Sequence, residues 1–142
     1  MIALGAASCH STKQSAKQSS GVATIDDAQK VTDKKWQLIE LHGTAFSASV
    51  NVPYFVLRGG SQRIEGSGGC NTFTGEYEAS GIGRIKFSKI AATQKACLKM
   101  ETEDELFKIL GMVDNYTLSA DGKTLSLNRA RMAPLARFES VN

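Results

Sequence analysis

From Lys35 onward, large apolar residues recur at every second position in short runs, and glycines separate the runs. Side chains two apart on an extended strand share a face, so this period gives each strand one face to bury and one to leave in water. Trp36, Leu38 and Leu41 mark a strand over Lys35–Leu41 that ends at Gly43. Phe46–Asn51 shows no clear period. Pro53 has no amide to give a ladder and suits the start of a strand through Tyr54, Phe55, Val56 and Leu57. Gly59-Gly60-Ser61 then turns the chain into Arg63–Gly66, which completes a hairpin.

A glycine cluster next runs into Gly68-Gly69-Cys70-Asn71-Thr72-Phe73-Thr74-Gly75-Glu76-Tyr77. Cys70, Thr72 and Thr74 share one parity; Asn71, Phe73 and Tyr77 share the other, with a bulge expected at Gly75. After the turn Ser80-Gly81-Ile82-Gly83, Ile85 and Phe87 point inward while Arg84, Lys86 and Ser88 point outward. Ile90–Thr93 is expected to continue irregularly. Thr102-Glu103-Asp104-Glu105 fits a capping box, and Leu106, Phe107, Leu110 and Val113 follow on one helical face. Asp121-Gly122 sits between two alternating runs, the strongest short hairpin signal, and Met132–Phe138 supplies a closing strand. The fold expected is mainly β (α+β). About seven or eight strands form a small antiparallel curved sheet or barrel, with one α-helix packed across it.

Composition narrows the function. The chain of 142 residues is long enough for one domain with its own core. Of its net charge of +3, five lysines against three aspartates lie before Trp36, and the remainder is nearly balanced. With no basic stripe, no nucleic-acid partner is expected. The three cysteines show no C-x-x-C spacing, and only His10 and His42 could add imidazoles, so neither a metal nor a cofactor is expected. Gly66-Ser67-Gly68-Gly69 lacks the Lys-Ser/Thr ending of a phosphate loop. Glu76 and Glu78 share a strand face, where a solvated pair is the simpler reading than acid–base work. No catalytic residue is assigned. The Asn71 amide is suited to tying the glycine-rich approach to neighbouring backbone.

Residues 1–34 form a different region. Met1–Cys9 resembles the tail of a truncated lipoprotein signal, with Cys9 as the residue that takes the lipid, although Ala6 stands where leucine is usual. His10–Thr24, rich in Ser, Lys, Gln and Ala, suits a flexible tether. Residues 35–142 form the folded domain.

The folded part resembles the META domain family of HslJ-like proteins. The resemblance rests on Trp36-x-Leu38, the Gly69-Cys70-Asn71-x-Phe73-x-Gly75-x-Tyr77 block, Phe87-x-x-Ile90-x-x-Thr93, Ala96-Cys97, Glu105-Leu106-Phe107 and Leu125-x-Leu127. It departs at Lys95, where the family often has methionine. The resemblance implies a lipocalin-like small barrel and a non-enzymatic lipoprotein domain of the bacterial cell envelope, in the periplasm or on the outer membrane. It also implies a link to stress or antibiotic tolerance. The partners expected are a membrane through the lipid anchor and an envelope protein; a carrier of a lipid or other hydrophobic ligand is the alternative. Gly69, Asn71, Phe73, Gly75, Tyr77 and Thr93 are its structural motif. In an exported protein Cys70 and Cys97 would form a disulfide; two buried thiols are the alternative.

Overall fold

The computed structural model describes residues 28–142. The lipidation expected at Cys9 lies outside the described residues. Residues 28–31 are helical and lead into nine strands and one further helix. The elements are β1 (Lys35–Leu41), β2 (Thr44–Ala45), β3 (Tyr54–Arg58), β4 (Arg63–Ser67), β5 (Thr72–Ser80), β6 (Arg84–Ala92), α1 (Glu101–Leu110), β7 (Asn115–Leu118), β8 (Thr124–Asn128) and β9 (Ala136–Val141). Each strand pairs with the next in chain order, save that β1 passes over the two-residue β2 to reach β3. β9 then pairs antiparallel with β1 from Lys35↔Val141 to Leu41↔Ala136. Eight strands therefore close a ring, and β2 lies alongside the second half of β1. Closure removes the open edges that a curved sheet of this size would otherwise carry.

The alternation read in the sequence fills the ring. Trp36, Leu38, Phe55, Leu57, Ile64, Phe73, Ile85, Leu125, Leu127 and Phe138 are buried. Phe55 of β3 and Phe138 of β9, on the two strands that flank β1, meet edge to face at 4.8 Å inside the core. The indole of Trp36 donates to the Val31 carbonyl at 2.8 Å and so draws the helical residues 28–31 onto the barrel. Leu41 joins the core despite its odd spacing from Leu38. β1 carries one extra residue, Ile39, between the pairs Leu38↔Phe138 and Glu40↔Arg137, and that bulge resets the inward face.

Some expectations change. The bulge placed at Gly75 sits on the facing strand: Gly75 lies between Thr74↔Ala91 and Glu76↔Ser88, so the additional residue belongs to β6, where Lys89 has φ 52. Phe73, Gly75 and Tyr77 keep one inward parity throughout. The irregularity expected from Ile90 is confined to that bulge at Lys89–Ile90, and β6 runs on as strand to Ala92. Phe46–Asn51, whose sequence showed no clear period, forms no strand. The closing strand starts at Ala136, and Met132 is 65% exposed. Asp114 Oδ1 accepts the Ala130 amide at 2.9 Å and Asn115 Nδ2 reaches the Ala130 carbonyl at 2.9 Å, which pins 129–132 in a turn. The capping box is absent as well. α1 begins at Glu101 with Met100 as its N-cap and no side-chain cap, because the Thr102 position is already helical.

The Asp121-Gly122 hairpin forms as expected. The Asp121 side chain accepts from the Ser119 hydroxyl at 2.6 Å and from the Lys123 amide at 3.0 Å, which lowers its carboxyl below the ordinary range.

Phe138→Ala removes a fully buried ring from the Phe55–Phe138 pair in the core. Chemical denaturation should show a loss of about 3–5 kcal/mol with the strand content retained. A loss below about 1 kcal/mol would show that the centre is loosely packed.

Candidate functional site

The antiparallel order gathers the β1–β3 crossover, the β4–β5 loop, the β6–α1 loop and the β8–β9 loop at one end of the barrel. Of the motif residues, Gly69, Asn71 and Thr93 meet there, and Asn71 is 2% exposed. Its Nδ2 donates to Glu103 Oε1 at 2.5 Å and to the Lys95 carbonyl at 3.2 Å. Its Oδ1 accepts from the Thr93 hydroxyl at 2.8 Å and from the Lys95 amide at 2.7 Å. Both donors and both acceptor positions of the carboxamide are used. The expectation that Asn71 ties the glycine-rich approach to backbone is met, and Thr93 belongs to the same knot.

Glu103 is the residue that sequence reasoning missed. It is 2% exposed, and its Oε2 accepts from the amides of Cys70 at 2.9 Å and Asn71 at 2.6 Å. A carboxylate this deep is tolerable only when donors replace its water. The signal was in the helical period. Glu103, Leu106 and Leu110 follow at steps of three and four, so an acid stands on the apolar face. The capping-box reading drew it to the helix end instead.

The glycines make room for this acid. A Cβ on Gly68 would lie 2.5 Å from the Glu103 Cγ, so only glycine lets helix and loop approach this closely. Gly69 has φ 118, a conformation that side-chain-bearing residues avoid, and it turns the loop so that successive amides face α1. The Gly66–Gly69 run leads from β4 into β5, strand to strand, unlike a phosphate loop.

A covalent bond lies beside the knot. Cys70 and Cys97 are joined as a disulfide, their Cα atoms 6.2 Å apart. It links the start of β5 to the β6–α1 loop, the two segments that Asn71 already ties. Phe73 packs edge to face on Phe107 of α1 at 5.3 Å, one step further into the barrel. Tyr77 lies at the far end of β5, where its hydroxyl donates to the Arg58 carbonyl at 3.1 Å. A second tie runs from the turn after β1 to α1: His42 Nε2 is 2.7 Å from Glu105 Oε1, and Lys108 Nζ is 3.0 Å from Oε2. The His42 bond first, and Lys108 second, hold the Glu105 carboxyl below the ordinary range.

The remaining candidates do not converge. Glu76 lies on the outer face, 3.0 Å from Lys89, and Glu78 is exposed beside it. His42 is not with them. Both oxygens of Glu103 accept bonds from this chain's own donors, so the acid fastens α1 to the β4–β5 loop.

The family model of the META domain matches residues 29–142. The chain belongs to the META domain family. Two solved structures share the fold of this META domain. One, described as an NMR structure of the protein, is 20% identical with a TM-score of 0.62, covering 78% of this chain and 92% of its own. The other, an NMR structure of the protein from Burkholderia xenovorans, is 20% identical with a TM-score of 0.63, covering 82% and 87%. No curated protein matches the chain.

In the META domain the knot should govern stability. Glu103→Ala leaves two amides and the Asn71 side chain without their acceptor and should cost about 3–5 kcal/mol, whereas Gly68→Ala, which crowds the same carboxylate, should cost about 1–3 kcal/mol. Urea titration of the oxidised protein measures both. Reducing Cys70–Cys97 should cost roughly 3–4 kcal/mol, as loop closure of this length predicts, while leaving the fold intact. The lowered Glu105 carboxyl adds stability above its ordinary value of 4.5, and that contribution fades as pH falls through its folded midpoint. His42→Ala should raise that midpoint, and carboxyl NMR titration reads it directly.

Proposed function

We propose that this META domain is a non-enzymatic module of the bacterial cell envelope, held to a membrane by lipid on Cys9, that acts by binding a protein partner. The observation that carries the reading is the Cys70–Cys97 bond. Such bonds persist in oxidising compartments and are rare where thiols are kept reduced. A role in stress or antibiotic tolerance follows from the resemblance alone.

The packing supports action at the surface. A carrier of a lipid or other hydrophobic ligand needs an internal cavity of some hundreds of Å³. Trp36, Phe55, Phe73 and Phe138 occupy the centre of this barrel, so the carrier alternative gains no support from it. Apolar side chains stand in water at the end that holds the knot. Val50 is 71% exposed and Leu98 fully exposed, and both line a cleft of about 480 Å³ beside the disulfide. Grouped apolar side chains on a polar surface are a mark of protein interaction.

Intact mass spectrometry of the protein extracted from bacterial membranes tests the assignment. The expected spectrum carries acyl chains on Cys9 and lacks the two thiol hydrogens of Cys70 and Cys97. Mature protein with Cys9 unmodified would overturn the anchor. Free thiols at Cys70 and Cys97 would overturn the compartment.

A further inference from the structure

The barrel end opposite the knot holds a groove of about 760 Å³. The helical residues 28–31, the β3–β4 turn and the β5–β6 turn enclose it. Val31, Ile85 and the ring of Tyr77 form its buried wall. The Tyr77 hydroxyl spends its hydrogen on the Arg58 carbonyl, so its oxygen can still accept a bond from a ligand. Gln62 and Ser80 add further polar groups around the mouth.

Among the described residues lining the groove, Asp33 is the one charged side chain. Its carboxylate lies over the backbone of Gly59, and it has no ion pair among the described residues. Lys34, its sequence neighbour, lines the adjacent groove along β7 and the β7–β8 turn instead. The phenol of Tyr77 senses this charge. Burial first, and the Asp33 carboxylate second, raise it above its ordinary value. The groove is therefore locally negative in a chain of net charge +3.

Two rim residues also hold costly backbone. Asp33 has φ 55 and Gln62 φ 52, both left-handed without being glycine. The Asp33 amide is fixed in place by the Leu57 carbonyl at 2.7 Å. A Cβ on Gly60, at the rim of the groove, would meet nothing within 4 Å, so that position has room for a side chain.

We propose that this groove binds a small organic cation, an ammonium flanked by further hydrogen-bond donors, with its charge on Asp33 and its donors on the Tyr77 and Gln62 oxygens. Polyamines and amino sugars share that chemistry. The site stands on the groove alone, so its failure and the failure of the envelope reading are separate events.

NMR titration of the isotope-labelled full chain with spermidine, glucosamine and glucose tests it. The expected result is saturable shifts at the Asp33, Gln62 and Ser80 amides with at least one of the two amines and none with glucose. Spermidine alone would identify a polyamine site, and glucosamine alone an amino-sugar site. Asp33→Asn should weaken the amine about tenfold. Gly60→Phe sets a bulky ring on the groove lining, at a position whose Cβ would meet nothing within 4 Å, and should weaken or abolish the shifts. Asp121→Asn, in the adjacent groove, should leave them unchanged. The proposal is overturned by silence toward both amines, by an equal response to glucose, or by unchanged amine binding in Asp33→Asn or Gly60→Phe.

Discussion

The barrel depends on how it is held where its hydrogen bonding is thinnest. β6 and β7 meet at a single pair, Arg84↔Asn115, although β6 is nine residues long. In the chain, α1 stands between these two strands. A helix satisfies its own backbone and cannot join a ladder, so it must be held by side chains. Leu106, Ile109 and Leu110 supply apolar burial, and Glu103 supplies direction, because its carboxylate is satisfied only against the amides of Cys70 and Asn71. Apolar contact tolerates sliding, whereas a buried charge tolerates very little. The acid thus sets where the helix sits, and the helix completes the core.

The same loop is held twice, by the Asn71–Glu103 knot and by the disulfide. The two ties differ in kind. The bond lowers the freedom of the unfolded chain, while the knot exists only in the folded state. They therefore fail under different conditions, one under reduction and the other when packing loosens. This arrangement concentrates rigidity at one end of the barrel. The opposite end, where Asp33 and Gln62 take left-handed backbone, holds the groove of about 760 Å³ and, among the described residues, carries no disulfide.

Much of the barrel was legible from Lys35 onward because each strand buries one face, and a period of two records that directly. The bounds of β1 and the hairpins around Gly59-Gly60 and Asp121-Gly122 followed from it. Bulges were less legible. An extra residue can sit on either strand of a pair, and Gly75 gave no sign that the partner strand carried it. Ring closure was expected only in kind, since the pairing of β1 with β9 joins residues about a hundred positions apart that no local pattern links. Within the site, the role of Asn71 and the pairing of the cysteines were within reach of the sequence. Glu103 was hidden by its neighbours: Glu101, Asp104 and Glu105 made it look like one more acid at a helix start.

The β1–β9 pairing has a consequence in time. Between Lys35 and Val141 lies almost the whole domain, and the ring has no closed form until both strands are present. A chain delivered from one end must therefore wait with β1 unzipped on one side until its last strand arrives. Long-range pairings of this sort fold slowly and leave apolar strands uncovered meanwhile. The disulfide lies inside that interval, since Cys70 and Cys97 both emerge before β9. It can fasten the middle of the sheet to the segment before the helix while the ring is still open, making the last strand a latch on a structure already half assembled.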